Sequence, residues 1–140
     1  DTSSDAMNLR GVVISHADWI SSNFQREKQK IAWKEFFKEW DILICPQMAT
    51  PAFEHDHRPF GERSIMVNNQ EQPYFQQVFW AGMIVNAYLP STVFPTGPSS
   101  DGLPIGLQAV GDAYQDYKTI EFSKLIADEI GGFVAPPNYA

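Results

Sequence analysis

The densest grouping of residues able to do chemistry is Glu54-His55-Asp56-His57. Two histidines at i and i+2 share one side of an extended segment, a spacing open to Zn²⁺ or Cu²⁺. A structural zinc site takes four ligands and a catalytic one three. No further His or Cys lies nearby in sequence, so the segment reads as a polar loop and no metal is expected. Cys45 as a nucleophile would need an exposed thiol and a neighbouring base. It closes an apolar run and reads instead as a small buried hydrophobe. Ser99 and Ser100 stand between Gly97 and Gly102, but the pattern is not the Gly-x-Ser-x-Gly elbow of serine hydrolases. Residues 97–106 also lack the Gly-Lys-Ser/Thr of a phosphate loop. The residues alone therefore define no catalytic centre and call for no cofactor.

The elements that would position these residues follow from periodicity and punctuation. Residues 8–40 contain no proline, and Ser15 with Asp18 three positions on resembles a capping box, so one helix ends near Ile14 and another starts there. In the second, Ile20, Phe24, Ile31, Phe36, Phe37 and Trp40 fall on helical spacing among lysines, arginines and glutamates, which predicts a long amphipathic helix. Residues 41–45 read as a short strand buried on both faces and halted by Pro46. Residues 46–73 are proline-rich and mostly irregular, with a single strand at 64–67 followed by Asn68-Asn69, a pair suited to a turn. Pro73 suits the first turn of a helix over residues 74–85, whose near lack of charge predicts burial on most sides. Residues 91–94 and 105–110 are β-prone and flank Ser100-Asp101-Gly102, so two antiparallel strands follow. Asp116 caps a last helix, residues 117–130, with Ile120, Phe122, Leu125, Ile126 and Ile130 inward and Gly131-Gly132 ending it.

Helices alternating with short apolar strands imply a layered α/β fold. Residues 1–7 read as a polar tail or cut end, and residues 8–140 as one incomplete domain. The 140 residues carry 10 Lys and Arg against 17 Asp and Glu, a net charge of −7. That sign opposes binding to phosphate backbones, so neither nucleic acid nor an anionic membrane is an expected partner. No apolar run approaches the ~20 residues of a membrane-spanning helix. One cysteine excludes an internal disulfide and points to a reducing, cytoplasmic setting.

The motif-bearing half of the chain resembles a known family. Leu89-Pro90-Ser91-Thr92-Val93-Phe94-Pro95-Thr96-Gly97, then Asp101-Gly102-Leu103-Pro104-Ile105-Gly106-Leu107-Gln108-Ala109-Val110-Gly111, then Asp116 and a helix ending at Gly131-Gly132, is similar to the C-terminal part of amidase signature enzymes. Upstream, Trp33, Phe36-Phe37, residues 41–46 and Thr50-Pro51-Ala52 match the family's helix, strand and proline-rich loop in order. The resemblance implies an α/β/α sandwich with a mixed central sheet. It also implies a hydrolase that cuts carboxamide C–N bonds with a Lys–Ser–Ser triad. One serine attacks the carbonyl, a second relays protons, and the lysine is the ultimate base. Those three residues belong to the first half of a typical member, so no catalytic residue is expected in this chain.

What the resemblance leaves to this chain is strands, covering helices and part of the substrate pocket. Thr50, Trp80 and Met83 are the candidates for pocket lining, and the absence of fixed charge among them favours apolar or aromatic amides. The expected partners are a small-molecule amide and the N-terminal part of the same enzyme. Self-association through an uncovered sheet edge or apolar face is also expected. One departure stands out: Tyr88 occupies a position where many members have Gly before Leu-Pro. Two other readings share these residues, namely an acidic α/β interaction module without catalysis and a subunit of a glutamine-dependent amidotransferase.

Overall fold

Ser15 separates two helices, as its type and the Asp18 spacing predict. Its hydroxyl accepts a hydrogen bond from the Asp18 N–H at 3.1 Å, so α1 (Ser4–Val12) ends just before it and α2 (His16–Phe36) begins just after. The structure is a computed structural model describing residues 4–136. α1 takes in residues 4–7, which the sequence places in a polar tail. α2 stops at Phe36, short of Trp40, where two backbone bonds to Glu35 and Trp33 carbonyls tighten its end.

β1 (Leu43–Pro46) follows, then a single 3₁₀ turn (Phe60–Glu62), β2 (Ser64–Val67) and β3 (Gln70–Pro73). β2 and β3 form a hairpin whose two-residue turn is Asn68-Asn69, at φ 50° and 62°. Asparagine tolerates that left-handed backbone, which gives the turn the twist a hairpin needs. β3 was not legible in the sequence: Gln70-Glu71-Gln72 is polar, and only pairing with β2 makes it a strand. Pro73 therefore ends a strand, and the next segment begins as a 3₁₀ helix (Tyr74–Val78) before becoming α3 (Phe79–Asn86).

β4 (Ser91–Pro98) and β5 (Pro104–Val110) pair antiparallel as expected, and β1 joins the far side of β5, giving the order β1-β5-β4. β4 runs four residues past Phe94, with a bulge between Pro95 and Gly97, where φ is 99°. The turn back closes on Ser99, whose N–H donates to the Leu103 carbonyl at 2.7 Å, with Gly102 left-handed at 79°. α4 (Asp116–Ile130) completes the described chain. Its N-cap is Gln115 without a side-chain cap bond, so Asp116 is the first helical residue rather than the cap.

Helices cover both faces of this small sheet. On one face Thr92 and Phe94 of β4 meet α4: the Thr92 and Thr119 hydroxyls are 2.8 Å apart, and the Phe94 and Phe122 rings pack edge to face. Gly111 lets α4 approach this closely, because a Cβ there would lie 2.9 Å from the Thr119 methyl. On the other face Cys45 and Val110 pack with Ile84 of α3, flanked by Phe37, Leu43, Trp80, Met83 and Leu89. The α/β/α layering is therefore present, though both sheets among the described residues are wholly antiparallel.

Three burial expectations are corrected. Ile44 is exposed, because α4 reaches β4 and β5 but not the outer strand β1. In α4 the packed stripe is Thr119, Phe122, Ser123 and Ile126, while Ile120, Leu125 and Ile130 face outward. The uncharged segment 74–85 is exposed on most sides, with only Gln77 and Ile84 buried.

Gln108 ties the sheet together with a buried carboxamide, its oxygen accepting from the Ser91 hydroxyl at 2.7 Å and its nitrogen donating to the Pro46 carbonyl at 2.9 Å. Gln108→Leu removes both bonds and should lower stability by about 1–3 kcal/mol in urea unfolding, against under ~1.5 kcal/mol for Ser91→Ala, whose partner amide keeps its second bond.

Candidate functional site

Three open grooves flank the segment between β1 and α3. The first, about 580 Å³, runs along the 3₁₀ helix and the start of α3, between Ala49, Gln72, Phe75, Gln76, Phe79 and Trp80. Its lining combines aromatic rings with uncharged carboxamides. The second, about 490 Å³, lies where Trp33 and Gln29 of α2 face Phe79, Met83 and Asn86 of α3. The third, about 480 Å³, is the polar one, formed by Phe53, His55, His57, Arg63 and Tyr74 with Glu54 and Asp56.

The three sequence candidates are not gathered around one cavity. Trp80 lines the first groove and Met83 the second, and both lean on the Cys45–Ile84–Val110 core. Thr50 borders neither, but follows Ala49, which does line the first groove. Its hydroxyl oxygen is buried without a hydrogen-bond partner. An unpaired buried hydroxyl costs about 1–3 kcal/mol.

The remaining chemistry-bearing residues have structural occupations. Cys45 is buried, and burial pushes its thiol above the ordinary value against the opposing hydrogen bond of Gln108. That is the reverse of an activated nucleophile. The Ser99 hydroxyl accepts from the Leu103 N–H at 3.1 Å and closes the β4–β5 turn. His55 and His57 touch edge to face with ring centres 6.0 Å apart. Among the described residues no group of three or more His, Cys, Asp and Glu is placed to hold a metal ion.

Beside the histidines lies an ion network the sequence did not reveal. Arg58 grips Asp56 from two directions: its Nη2 donates to Oδ2 at 2.7 Å and its own backbone N–H to Oδ1 at 3.0 Å. The same Nη2 donates to the Ser64 hydroxyl at 3.0 Å, which in turn donates to Glu71. Arg63 Nε donates to the Arg58 carbonyl at 2.7 Å. The loop is thereby tethered to the β2–β3 hairpin. The Asp-x-Arg spacing was visible in the sequence, but its tie to Glu71 depends on a strand that was not.

Tyr88 explains why glycine suits its position. α3 ends in a Schellman motif: the Leu89 N–H reaches back to the Ile84 carbonyl at 3.2 Å and the Tyr88 N–H to that of Val85 at 3.1 Å. The intervening residue must be left-handed, and Tyr88 is, at φ 59°. What offsets the strain comes from α2, whose Arg26 guanidinium lies 4.8 Å and Lys30 ammonium 5.5 Å from the Tyr88 ring centre.

With this geometry in place, the chain is assigned by its matches: it belongs to the amidase family, whose profile, described as Amidase, matches residues 6–120. Among curated proteins it is similar to a glutamyl-tRNA(Gln) amidotransferase subunit of Chlamydia pneumoniae, 33% identical over 96 residues, covering 69% of this chain and 18% of that protein. It is also similar to the protein of the same name from Treponema pallidum (strain Nichols), 34% identical over 86 residues, covering 61% of this chain and 15% of the relative. Among solved structures, one titled "Crystal structure of amidase" superposes with a TM-score of 0.71 at 19% identity, over 92% of this chain and 29% of that one. The inhibitor-bound vestigial complex titled as revealing the origins of an s-triazine catabolic enzyme gives 0.69 at 24% identity, over 86% and 26%. At these identities the structures establish the fold. The chain thus spans less than a third of the length of these relatives. Among the described residues no helix is long and apolar enough to cross a membrane.

Two measurements test the local electrostatics. The Arg58 side chain, then its backbone N–H, hold Asp56 down at about 2 against an ordinary 3.8. A depressed carboxyl favours the folded loop at pH values above its ordinary range and loses that effect as pH falls from about 4 to about 2. A carboxyl NMR titration should place the Asp56 midpoint near 2, and Arg58→Gln should raise it toward the ordinary range without reaching it, because the backbone N–H of residue 58 still donates to Asp56. At Tyr88, alanine keeps the left-handed strain and loses both cation–ring contacts, so Tyr88→Ala should cost about 1–2 kcal/mol in urea unfolding. Tyr88→Gly also removes the strain of about 1–2 kcal/mol and should stay within ~1 kcal/mol of the parent.

Proposed function

We propose that this chain is the C-terminal sheet-and-helix portion of an amidase-signature hydrolase that cleaves carboxamide C–N bonds. The observation that carries this reading is the family match over residues 6–120, joined to an amidase fold that the chain fills for only 29% of its length. The bond-breaking residues are a Lys–Ser–Ser set upstream, where a serine attacks the amide carbonyl and backbone N–H groups hold the resulting oxyanion. This chain contributes no catalytic residue. It supplies two faces of packed helices, the β1-β5-β4 sheet, and part of the wall of the substrate pocket.

Thr50, Trp80 and Met83 are the pocket residues in this proposal. The unpaired Thr50 hydroxyl and the uncharged first groove beside it support a neutral substrate, apolar or aromatic next to its amide. A cytoplasmic setting is part of the same reading, supported by the single buried thiol of Cys45.

A second reading has its own support, since the curated relatives at 33% and 34% identity carry the name of a glutamyl-tRNA(Gln) amidotransferase subunit. In it the hydrolysed amide is glutamine, and the ammonia passes to a companion subunit rather than to solvent. An interaction module without catalysis is the third, and a complete gene lacking the lysine and two serines upstream would favour it.

The deciding experiment compares carboxamide and ester hydrolysis by the protein from the complete gene and by this 140-residue chain. Turnover is expected only from the former, with neutral aromatic amides ahead of charged ones. Hydrolysis by this chain alone would overturn the assignment of the catalytic residues to the upstream part, and preference for charged amides would overturn the pocket assignment. A complete protein inert toward small amides but releasing ammonia from glutamine only with glutamyl-tRNA and partner subunits present would establish the second reading.

A further inference from the structure

α2 carries two apolar stripes, and this chain uses one of them. At about 100° per residue, Trp33, Phe37, Arg26 and Lys30 fall within one sector roughly 60° wide. Phe37 packs against the core cluster, Trp33 faces Met83 across the second groove, and Arg26 and Lys30 cover Tyr88. Ile20, Phe24 and Ile31 fall within another sector about 40° wide, its centre about 130° from that of the first. Phe24 and Ile31 are 63% and 62% exposed, and no residue of α2 is buried. A helix apolar on two sides belongs inside a larger core, since a helix at a protein surface needs one polar face.

The chain also exposes more surface than a compact protein of its mass. A compact protein of 15.8 kDa exposes about 7,300 Å², whereas this chain exposes 10706 Å². The surplus of about 3,400 Å² is in the range of permanent, largely apolar interfaces and well above a transient contact. Beyond the α2 stripe, exposed apolar side chains include Phe79 at 60% and Val85 at 68% on α3.

We propose that the Ile20–Phe24–Ile31 stripe of α2 is a docking seam for the remainder of the amidase domain. This rests on the reading that such a remainder accompanies the chain, and the argument for that occupant is length: the chain fills 29% of the amidase structure it superposes on. A second copy of this chain is the competing occupant. It would leave the rest of an amidase domain with no place on these helices.

The test is thiol accessibility in the protein from the complete gene. Phe24→Cys and Ile31→Cys sit on the seam, and Gln25→Cys, on an exposed side outside both sectors, is the internal reference; Cys45 is buried. Maleimide labelling at positions 24 and 31 should be at least tenfold slower than at 25, and unchanged on hundredfold dilution. Labelling within twofold of Gln25→Cys would overturn the proposal. So would protection that disappears on dilution, which marks a second copy, or a complete gene that encodes no amidase sequence beyond this chain. The readout needs no turnover: a protected seam in a protein that hydrolyses no amide would leave this inference standing and remove the hydrolase.

Discussion

The fold depends on one carboxamide. Gln108 lies on β5, the only strand with neighbours on both sides among the described residues, and its side chain accepts from β4 at Ser91 and donates to β1 at Pro46. Only a group with donor and acceptor on one planar head can hold both strands at once. The bond to Pro46 has a further use, because β1 is only four residues long and ends in a residue without an N–H. Such a strand is weakly held by its own ladder. A slip of one residue would turn Cys45 away from Ile84 and bring Ile44 into the core in its place. By fixing register on both sides, Gln108 determines which residues face α3 and which face α4.

From that register the two faces acquire different characters. Toward α4 the contact is narrow and partly polar: the Thr92–Thr119 hydroxyl pair, the Phe94–Phe122 rings and the bare backbone of Gly111. Toward α3 it is a small apolar knot around Cys45, Ile84 and Val110, edged by larger side chains that are only half covered. Ala109 and Val110 are wholly buried, yet few other residues are, and large exposed apolar side chains occur on all four helices. The packing is tightest at the sheet and thins outward through the helices.

That pattern also explains which parts of the molecule were legible from sequence. The turns and caps were readable because their causes are local: Ser15 with Asp18, Asn68-Asn69, Gly102 and Gly131 act within a few residues of themselves. The β4–β5 hairpin was readable for the same reason. β3 was not, since Gln70-Glu71-Gln72 is a strand only by virtue of β2 beside it. The inward faces of α4 and of residues 74–85 were misassigned because apolarity alone does not say which side of a helix meets the sheet, and here Thr119 and Ser123 do so while Ile120 and Leu125 do not. Ile120, Leu125, Phe79 and Val85 have the composition of core and the exposure of surface. At the site, residue types pointed to Thr50, Trp80 and Met83, but their distribution over separate grooves, and the Asp56–Arg58–Ser64–Glu71 tether, required the fold.

Tyr88 shows how a residue other than glycine can meet a left-handed turn. The Schellman turn after α3 asks for a left-handed residue, and glycine meets that demand at no steric cost. Tyrosine does not, but its ring reaches α2 and sits under Arg26 and Lys30. The Asn86–Gln29 hydrogen bond crosses the same gap. Together these are the main polar links between α2 and the rest of the described chain. The strained residue therefore converts a local penalty into a tertiary contact with α2. In that placement Phe37 packs on the core and Trp33 faces Met83, while Phe24 and Ile31 stay exposed. A glycine here would keep the turn and lose both cation–ring contacts to α2.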